Sequence, residues 1–234
     1  MNRTIVITGG TGGLGVELSQ RLLAEDCRLA VTYLLPDEAA AFEERFGQDE
    51  SQIMLRRVDA TDASAMSEFV SEVKAQWGPF HGLAALVGGW AGGRDLEATD
   101  DVRLERMLDL NLRSAFNAVR ASIPLMREAD FGRIVLVGSR DAIEAPPGQA
   151  AFNMAKAGVM ALGRTVAREL EPTNVTATVL LPTVIDTPAT RAALPYADYV
   201  DWPTPGEISA VAAFLLTEEA GVMNGALVPV YGKT

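Results

Sequence analysis

At 234 residues the chain has room for one well-buried domain, and no linker marks a second. A formal net charge of −11, with 20 basic residues that form no run, argues against nucleic acid and against an anionic membrane surface as partners. Hydrophobic residues at 48% and charged residues at 22% are ordinary globular proportions, so enzymes and small-molecule binders stay open.

In chain order, "TIVIT" (4–8) reads as a buried strand. It begins almost at once, and no small-residue cleavage site follows an apolar run, so no signal peptide is expected. A helix over 13–25 carries Leu14, Leu18, Leu22 and Leu23 at helical spacing. Cys27 follows as the only cysteine, which excludes an internal disulfide and makes a reducing cytoplasm the expected setting. Strands are expected at 28–35 and 52–60, with a helix at 37–46 between them. A helix at 64–77 leads through His81 into a strand at 82–89. That single histidine and single cysteine cannot build a zinc site, and no metal is expected. His81 is also the only histidine available to activate a nucleophile, and its place before a strand speaks against a triad.

One long helix is expected over 101–127, a strand over 133–139, a helix over 150–170 and a strand over 176–181. A Pro/Tyr-rich loop, a helix near 206–216 and a last strand at 226–231 complete the chain. No stretch reaches the ~18 apolar residues of a membrane span. Seven strands alternating with helices predict an α/β fold: one doubly wound (Rossmann) parallel sheet, residues 1–234, with helices on both faces. Ligands then bind at the carboxyl ends of the strands.

The first strand-to-helix turn is "TGGTGGLG" (8–15). Gly10, Gly12 and Gly15 fit GxGxxG, while Thr8, Gly9, Gly13 and Gly15 fit TGxxxGxG. In either register the glycines allow a tight turn, and the helix start offers unpaired N–H groups to a pyrophosphate.

The TGxxxGxG register resembles the short-chain dehydrogenase/reductase family, and further motifs agree along nearly the whole chain. They are "VDATD" (58–62), "DLNLRSAF" (109–116), "IVLVGS" (134–139), Lys156 and "LLPTVIDTP" (180–188). The resemblance implies an NAD(P)-dependent oxidoreductase acting on a small molecule. It implies cofactor contacts from Gly9, Thr11, Gly13, Leu14, Gly15, Asp59, Gly88, Lys156 and Thr187, with Asp59 on the adenine amino group. It implies that Ser139 positions a carbonyl oxygen, that a tyrosine protonates it, that Lys156 lowers the tyrosine pKa, and that Asn111 helps hold a relay water. It also implies a homodimer or homotetramer through the helices at 101–127 and 150–170.

The chain departs from that family at three places. The NNAG motif reads Leu86-Val87-Gly88-Gly89, the Pro-Gly after the sixth strand reads Pro182-Thr183, and the tyrosine reads Phe152. Ser139 and Phe152 lie 13 residues apart, a spacing the family uses for serine and tyrosine. "GGWAGG" (88–93) and the segment 181–205 resemble the dihydropteridine-reductase branch, and Trp90 is placed where a flat ring could stack or where a Trp packs the sheet edge. After the second strand, Tyr33, Leu34 and Leu35 are neither acidic nor basic, Asp37 comes late, and no cation lies in the glycine loop. With no partner for a 2′-phosphate, the reading leans to NAD(H) over NADP(H).

Phenylalanine carries no ionisable proton, so Phe152 cannot act as acid or base, although i, i+4 spacing keeps it on one helix face with Lys156. A positioned general acid contributes about 10²–10⁴-fold, which an unactivated ketone needs more than an electron-poor acceptor does. The leading expectation is therefore hydride transfer to an activated, quinonoid, pterin-like or otherwise conjugated acceptor. The alternatives are a non-catalytic dinucleotide-binding relative with a structural or regulatory role, or an introduced Tyr→Phe substitution. Tyr196 and Tyr199 are candidates for a substitute phenol or for lid packing.

Overall fold

The computed structural model describes residues 3–197 and 201–233. Its centre is a row of short β-branched strands: β1 (Thr4–Thr8), β2 (Arg28–Tyr33), β3 (Ile53–Arg57), β4 (Gly82–Ala85), β5 (Gly132–Val137), β6 (Val175–Pro182) and β7 (Leu227–Val230). They hydrogen-bond in the order β3-β2-β1-β4-β5-β6-β7, every neighbouring pair parallel. β1 and β4 are buried at every position, as strands covered on both faces must be.

The helices are α1 (Gly13–Ala24), α2 (Pro36–Phe46), α3 (Ala63–Trp77), α4 (Asp101–Leu108), α5 (Ser114–Glu128), α6 (Asp141–Glu144), α7 (Ala150–Glu169), α8 (Pro188–Ala193) and α9 (Pro205–Leu215). Leu18 and Leu22 of α1, Phe42 of α2 and Ile208 and Ala212 of α9 form one core with Ile5, Ile7, Leu29 and Val31. On the other face Met66, Phe69 and Val70 of α3, Val119 of α5 and Val166 of α7 close over Leu83, Leu136 and Val179. Each such aliphatic side chain contributes roughly 1.5–3 kcal/mol by leaving water, so the two layers hold the sheet as one unit. The strand order runs outward from β1 in one direction and from β4 in the other. The crevice at the carboxyl ends of β1 and β4 is therefore the topological switch point where such folds bind ligands.

Several expected boundaries shift. β2 stops at Tyr33, and Leu34 and Leu35 leave the sheet half-exposed. β3 stops at Arg57 because Asp59 folds a turn onto the backbone and hydroxyl of Thr61. β4 ends at Ala85; Leu86 N–H still donates to the Thr8 carbonyl of β1 at 3.1 Å, and at Gly89 the chain is held by a side chain from the π-turn described below. The single helix expected at 101–127 is two helices, α4 and α5, joined by a π-turn at Asp109–Arg113. The Pro/Tyr-rich loop contains α8, started by Pro188 and capped by Thr187. The short α6 and the 3₁₀ turns at Leu96–Ala98 and Glu219–Met223 were also not expected. Among the described residues no helix is long and apolar enough to cross a membrane.

Candidate active site

The glycine turn is pinned to the adjacent strand. Gly9 donates to the Thr32 hydroxyl at 3.1 Å and Gly10 to the Thr32 carbonyl at 3.1 Å. Gly9 has φ +67°, a conformation that suits glycine, and a Cβ there would lie 3.0 Å from Val87. A Cβ on Gly15 would lie 2.4 Å from the Gly10 Cα, so only glycine lets α1 start this close to the turn. α1 has Gly12 at its N-cap and no side-chain cap. Its first N–H groups therefore face the crevice without a side-chain partner, which fits a bound pyrophosphate.

The other expected cofactor residues surround this cradle. Leu14 is half-buried and anchors α1 in the core. Thr187 brings its methyl against Gly13, 3.3 Å from where a Cβ would stand, so α8 begins beside the glycine turn. Thr11 is buried, and its hydroxyl donates to Glu38 on α2 at 3.0 Å. Asp59 is exposed after β3, with one carboxylate oxygen held by Thr61.

Deeper in the crevice, Gly88, Asn111 and Lys156 converge. A Cβ on Gly88 would stand 2.9 Å from Asn111 Oδ1 and 3.2 Å from Lys156 Nζ. Asn111 is buried in the π-turn, and its carboxamide is consumed by backbone. Gly89 N–H donates to Oδ1 at 3.1 Å, while Nδ2 donates to the Gly89 carbonyl at 2.9 Å and to the Met107 carbonyl at 3.1 Å. π-turns inside helices recur at functional sites, and this one turns the amide toward β4. Lys156 is buried and donates to the Val137 carbonyl at 2.8 Å. Burial disfavours its charged form and lowers its pKa to about 8.

Ser139 follows β5 and is buried, with its Oγ accepting from Asp141 N–H at 3.2 Å. Phe152 lies one helical turn before Lys156, its ring centroid 5.9 Å from Nζ, in a small apolar cluster with Met107 and Ala151. The ammonium thus faces an aromatic ring where the family resemblance would place a phenol.

One group went unnoticed in the sequence. Trp90 Nε1 donates to Gln149 Oε1 at 2.8 Å, and Gln149 Nε2 donates to Asp141 at 2.6 Å and to Asn153 at 3.1 Å. The indole is half-exposed and folds against Gly92. It is therefore a tethered side chain at the edge of the site, and Gln149 and Asp141 form a polar wall running back to Ser139. No motif marked Gln149; a polar residue just before an apolar helix was the sole signal. Tyr196 is fully exposed, and Tyr199 lies outside the described residues. Among the described residues no cluster of His, Cys, Asp and Glu could hold a metal ion.

The sequence profile of the short chain dehydrogenase family matches residues 3–196. The chain is 32% identical over 240 residues to the 3-oxoacyl-[acyl-carrier-protein] reductase MabA of Mycobacterium bovis, covering 99% of this chain and 92% of that protein. It is 30% identical to an acetoacetyl-CoA reductase of Allochromatium vinosum, covering 99% and 98% of the two. A crystal structure of an oxidoreductase of the short chain dehydrogenase/reductase family from Burkholderia thailandensis superposes with a TM-score of 0.87 at 29% identity, over 99% of this chain and 92% of that one. With the glycine cradle at the switch point and these relatives along its full length, the chain belongs to the short chain dehydrogenase family and is an NAD(P)-dependent oxidoreductase.

Proposed function

We propose that this oxidoreductase reduces a small conjugated acceptor, with NADH as the preferred hydride donor. The observation that carries the acceptor class is Phe152: an apolar ring whose centroid lies 5.9 Å from Lys156 Nζ, in a crevice whose other polar groups are assembled. The bound dinucleotide supplies the hydride. Gly9, Thr11, Gly13, Leu14, Gly15, Asp59, Gly88, Lys156 and Thr187 hold it, with the pyrophosphate at the start of α1. Ser139 orients the acceptor. Lys156 bonds the nicotinamide ribose and keeps a proton in reach, while Asn111 holds the floor of the site in register through Gly89.

The relatives' names specify 3-oxoacyl and acetoacetyl thioesters, whose ketones need a proton at oxygen as hydride arrives. Phe152 has none to give. A quinonoid or otherwise conjugated acceptor spreads the incoming charge and takes its proton from water. The pterin-like form of this reading rests on the "GGWAGG" and "DTP" segments. The preference for NADH rests on the apolar end of β2. The test is NADH oxidation with a quinonoid dihydropterin, a set of quinones and acetoacetyl-CoA. Turnover of the conjugated acceptors with little of the thioester is expected; the reverse order overturns the reading.

The same family supports self-association. Val102 on α4, Phe116 on α5 and Met154 on α7 expose apolar side chains on the helices at 101–127 and 150–170, and we infer a homodimer or homotetramer through those helices. Light scattering checks it, and a monomer at micromolar concentration refutes it.

A further inference from the structure

Gln149 is the N-cap of α7, yet its side chain makes no bond to the helix start. Its buried amide is spent elsewhere. Oε1 accepts from Trp90 in the loop after β4 at 2.8 Å, while Nε2 donates to Asp141 after β5 at 2.6 Å and to Asn153 on α7 at 3.1 Å. An indole N–H only donates and a carboxylate only accepts, so a residue between them must do both, as an amide does. Asn153 closes the network by donating to the Pro146 carbonyl at 3.1 Å.

The loop that carries Trp90 is pinned at three further points. Asn111 grips Gly89, Arg103 donates to the Gly92 carbonyl at 3.2 Å, and Arg94 N–H donates to the Gly148 carbonyl at 3.1 Å. With that backbone held, the two side-chain torsions of Trp90 are what remain, and the bond to Gln149 fixes them. Part of the ring lies against Gly92, where a Cβ would stand 2.3 Å from Cζ2, and the rest is half-exposed. Gly88, two residues before Trp90, borders Lys156, and Asp141 N–H bonds Ser139. The network therefore ties the indole to both loops that flank the reactive groups.

We infer that the Trp90 indole is a wall of the acceptor site, against which a flat acceptor ring lies, and that Gln149 is the positioning residue that sets its plane. Asp141 and Asn153 hold Gln149 in turn. This names a contact for the conjugated acceptor proposed above and rests on that reading. A half-exposed indole with free torsions would have to be ordered by each acceptor that binds; an indole already tethered presents its surface ready-made.

The experiment follows NADH oxidation with the quinones and the quinonoid dihydropterin, and with acetoacetyl-CoA, whose reacting end is not a ring. The variants are Trp90→Leu, Gln149→Leu, Gly92→Ala and the exchange Gln149→Glu with Asp141→Asn; unchanged melting curves establish that they are folded. Trp90→Leu is expected to raise KM for the conjugated acceptors by about five- to a hundredfold, the range for a ring stacked on an aromatic side chain, while kcat changes little. Gln149→Leu, which frees the indole, and Gly92→Ala, which displaces it, raise KM in the same direction. Neither adds to Trp90→Leu, because all three act through one ring. The exchange variant restores a donor and an acceptor with their direction reversed and recovers most of the KM. NMR of the three indole N–H groups gives a second readout. The signal absent from Trp90→Leu exchanges slowly in the wild type and fast in Gln149→Leu, and it shifts when a quinone is added to the NAD-bound enzyme. A KM for conjugated acceptors indifferent to Trp90→Leu overturns the wall and leaves the acceptor reading standing. Additive effects of Gln149→Leu and Trp90→Leu, or an exchange variant no better than Gln149→Leu, overturn the positioning role. A wild type that prefers acetoacetyl-CoA overturns the acceptor reading and the stacking wall with it.

Discussion

Replacing Phe152 by tyrosine adds one buried oxygen at the position on which the proposed chemistry turns. The Lys156 ammonium lies 5.9 Å from the ring centre. At an effective dielectric of about 20, a charge at that distance favours a phenolate by about 3 kcal/mol, or about two pKa units. That pulls the phenol from about 10 toward about 8, against the opposing cost of burying the anion. Lys156 itself is lowered to about 8, so the two groups titrate as a pair, with the cation present below that pH. A positioned acid of this kind is worth about 10²–10⁴ in rate. Phe152→Tyr is therefore expected to raise NADH-dependent reduction of acetoacetyl-CoA by that factor at pH 7, with the gain fading above about pH 8 as the acid form is lost. The rate with conjugated acceptors changes by less than about tenfold, because their reduction does not wait for an acid. The assay is the loss of NADH absorbance, with cofactor affinity measured separately. An unaltered thioester rate in a variant that binds NADH normally would falsify the placement of Ser139 and Lys156 around this ring.

Gly15→Ala drives a Cβ to within 2.4 Å of Gly10. It is expected to cost about 3 kcal/mol in thermal or urea unfolding and to weaken NADH binding at least about a hundredfold; an unchanged affinity would show that the cradle does not hold the pyrophosphate. Asn111→Leu keeps the bulk but strands the Gly89 N–H, the Gly89 carbonyl and the Met107 carbonyl. A loss of about 2–4 kcal/mol is expected, and a neutral result in urea unfolding refutes the clamp. Burial lowers Lys156 from 10.5 to about 8 in the folded chain. Between those two values the unfolded chain binds more protons than the folded one, so stability rises with pH there, by up to about 3 kcal/mol. Comparing wild type with Lys156→Met at pH 7.5, 9 and 10 isolates this contribution; a difference that stays flat across the three refutes it.

The strands and the glycine cradle were legible because each is a local pattern. A β-branched run fits only a covered strand, and Gly9, Gly13 and Gly15 fit only a turn that something must approach closely. The doubly wound class followed from strands alternating with helices and from right-handed crossovers, whereas the strand order β3-β2-β1-β4-β5-β6-β7 is visible only in the fold. What stayed hidden depends on partners distant in sequence. Asn111 read as a helix residue that helps hold a relay water or bends the helix; the bonds of its amide to Gly89, and the π-turn that aims it, have no signature in the sequence. Nothing in the sequence sets Glu38 apart from the other acids of α2, and only the fold brings it to Thr11. Trp90 read either as a stacking surface or as a Trp packing the sheet edge, and only the fold shows that Gln149 holds its nitrogen and Gly92 lies against its ring. α8 was obscured by its proline and those near it, although Pro188 at the first position and Thr187 as the cap are ordinary helix-start chemistry.

The grip of Asn111 on Gly89 explains a substitution that first looks like damage. An amide side chain that accepts from one peptide N–H and donates to the same residue's carbonyl reproduces what an adjacent strand would offer. Segment 86–89 thus behaves as though the sheet continued for one more rung, with a side chain as its neighbour. Recognition of Gly89 falls on the main chain, while Leu86 and Val87 hold the segment by packing against the two cores. Leucine and valine can then stand where the family places asparagines. Hydrogen exchange would report this directly: the Gly89 amide should exchange at the pace of a strand, in a stretch whose shape is that of a loop.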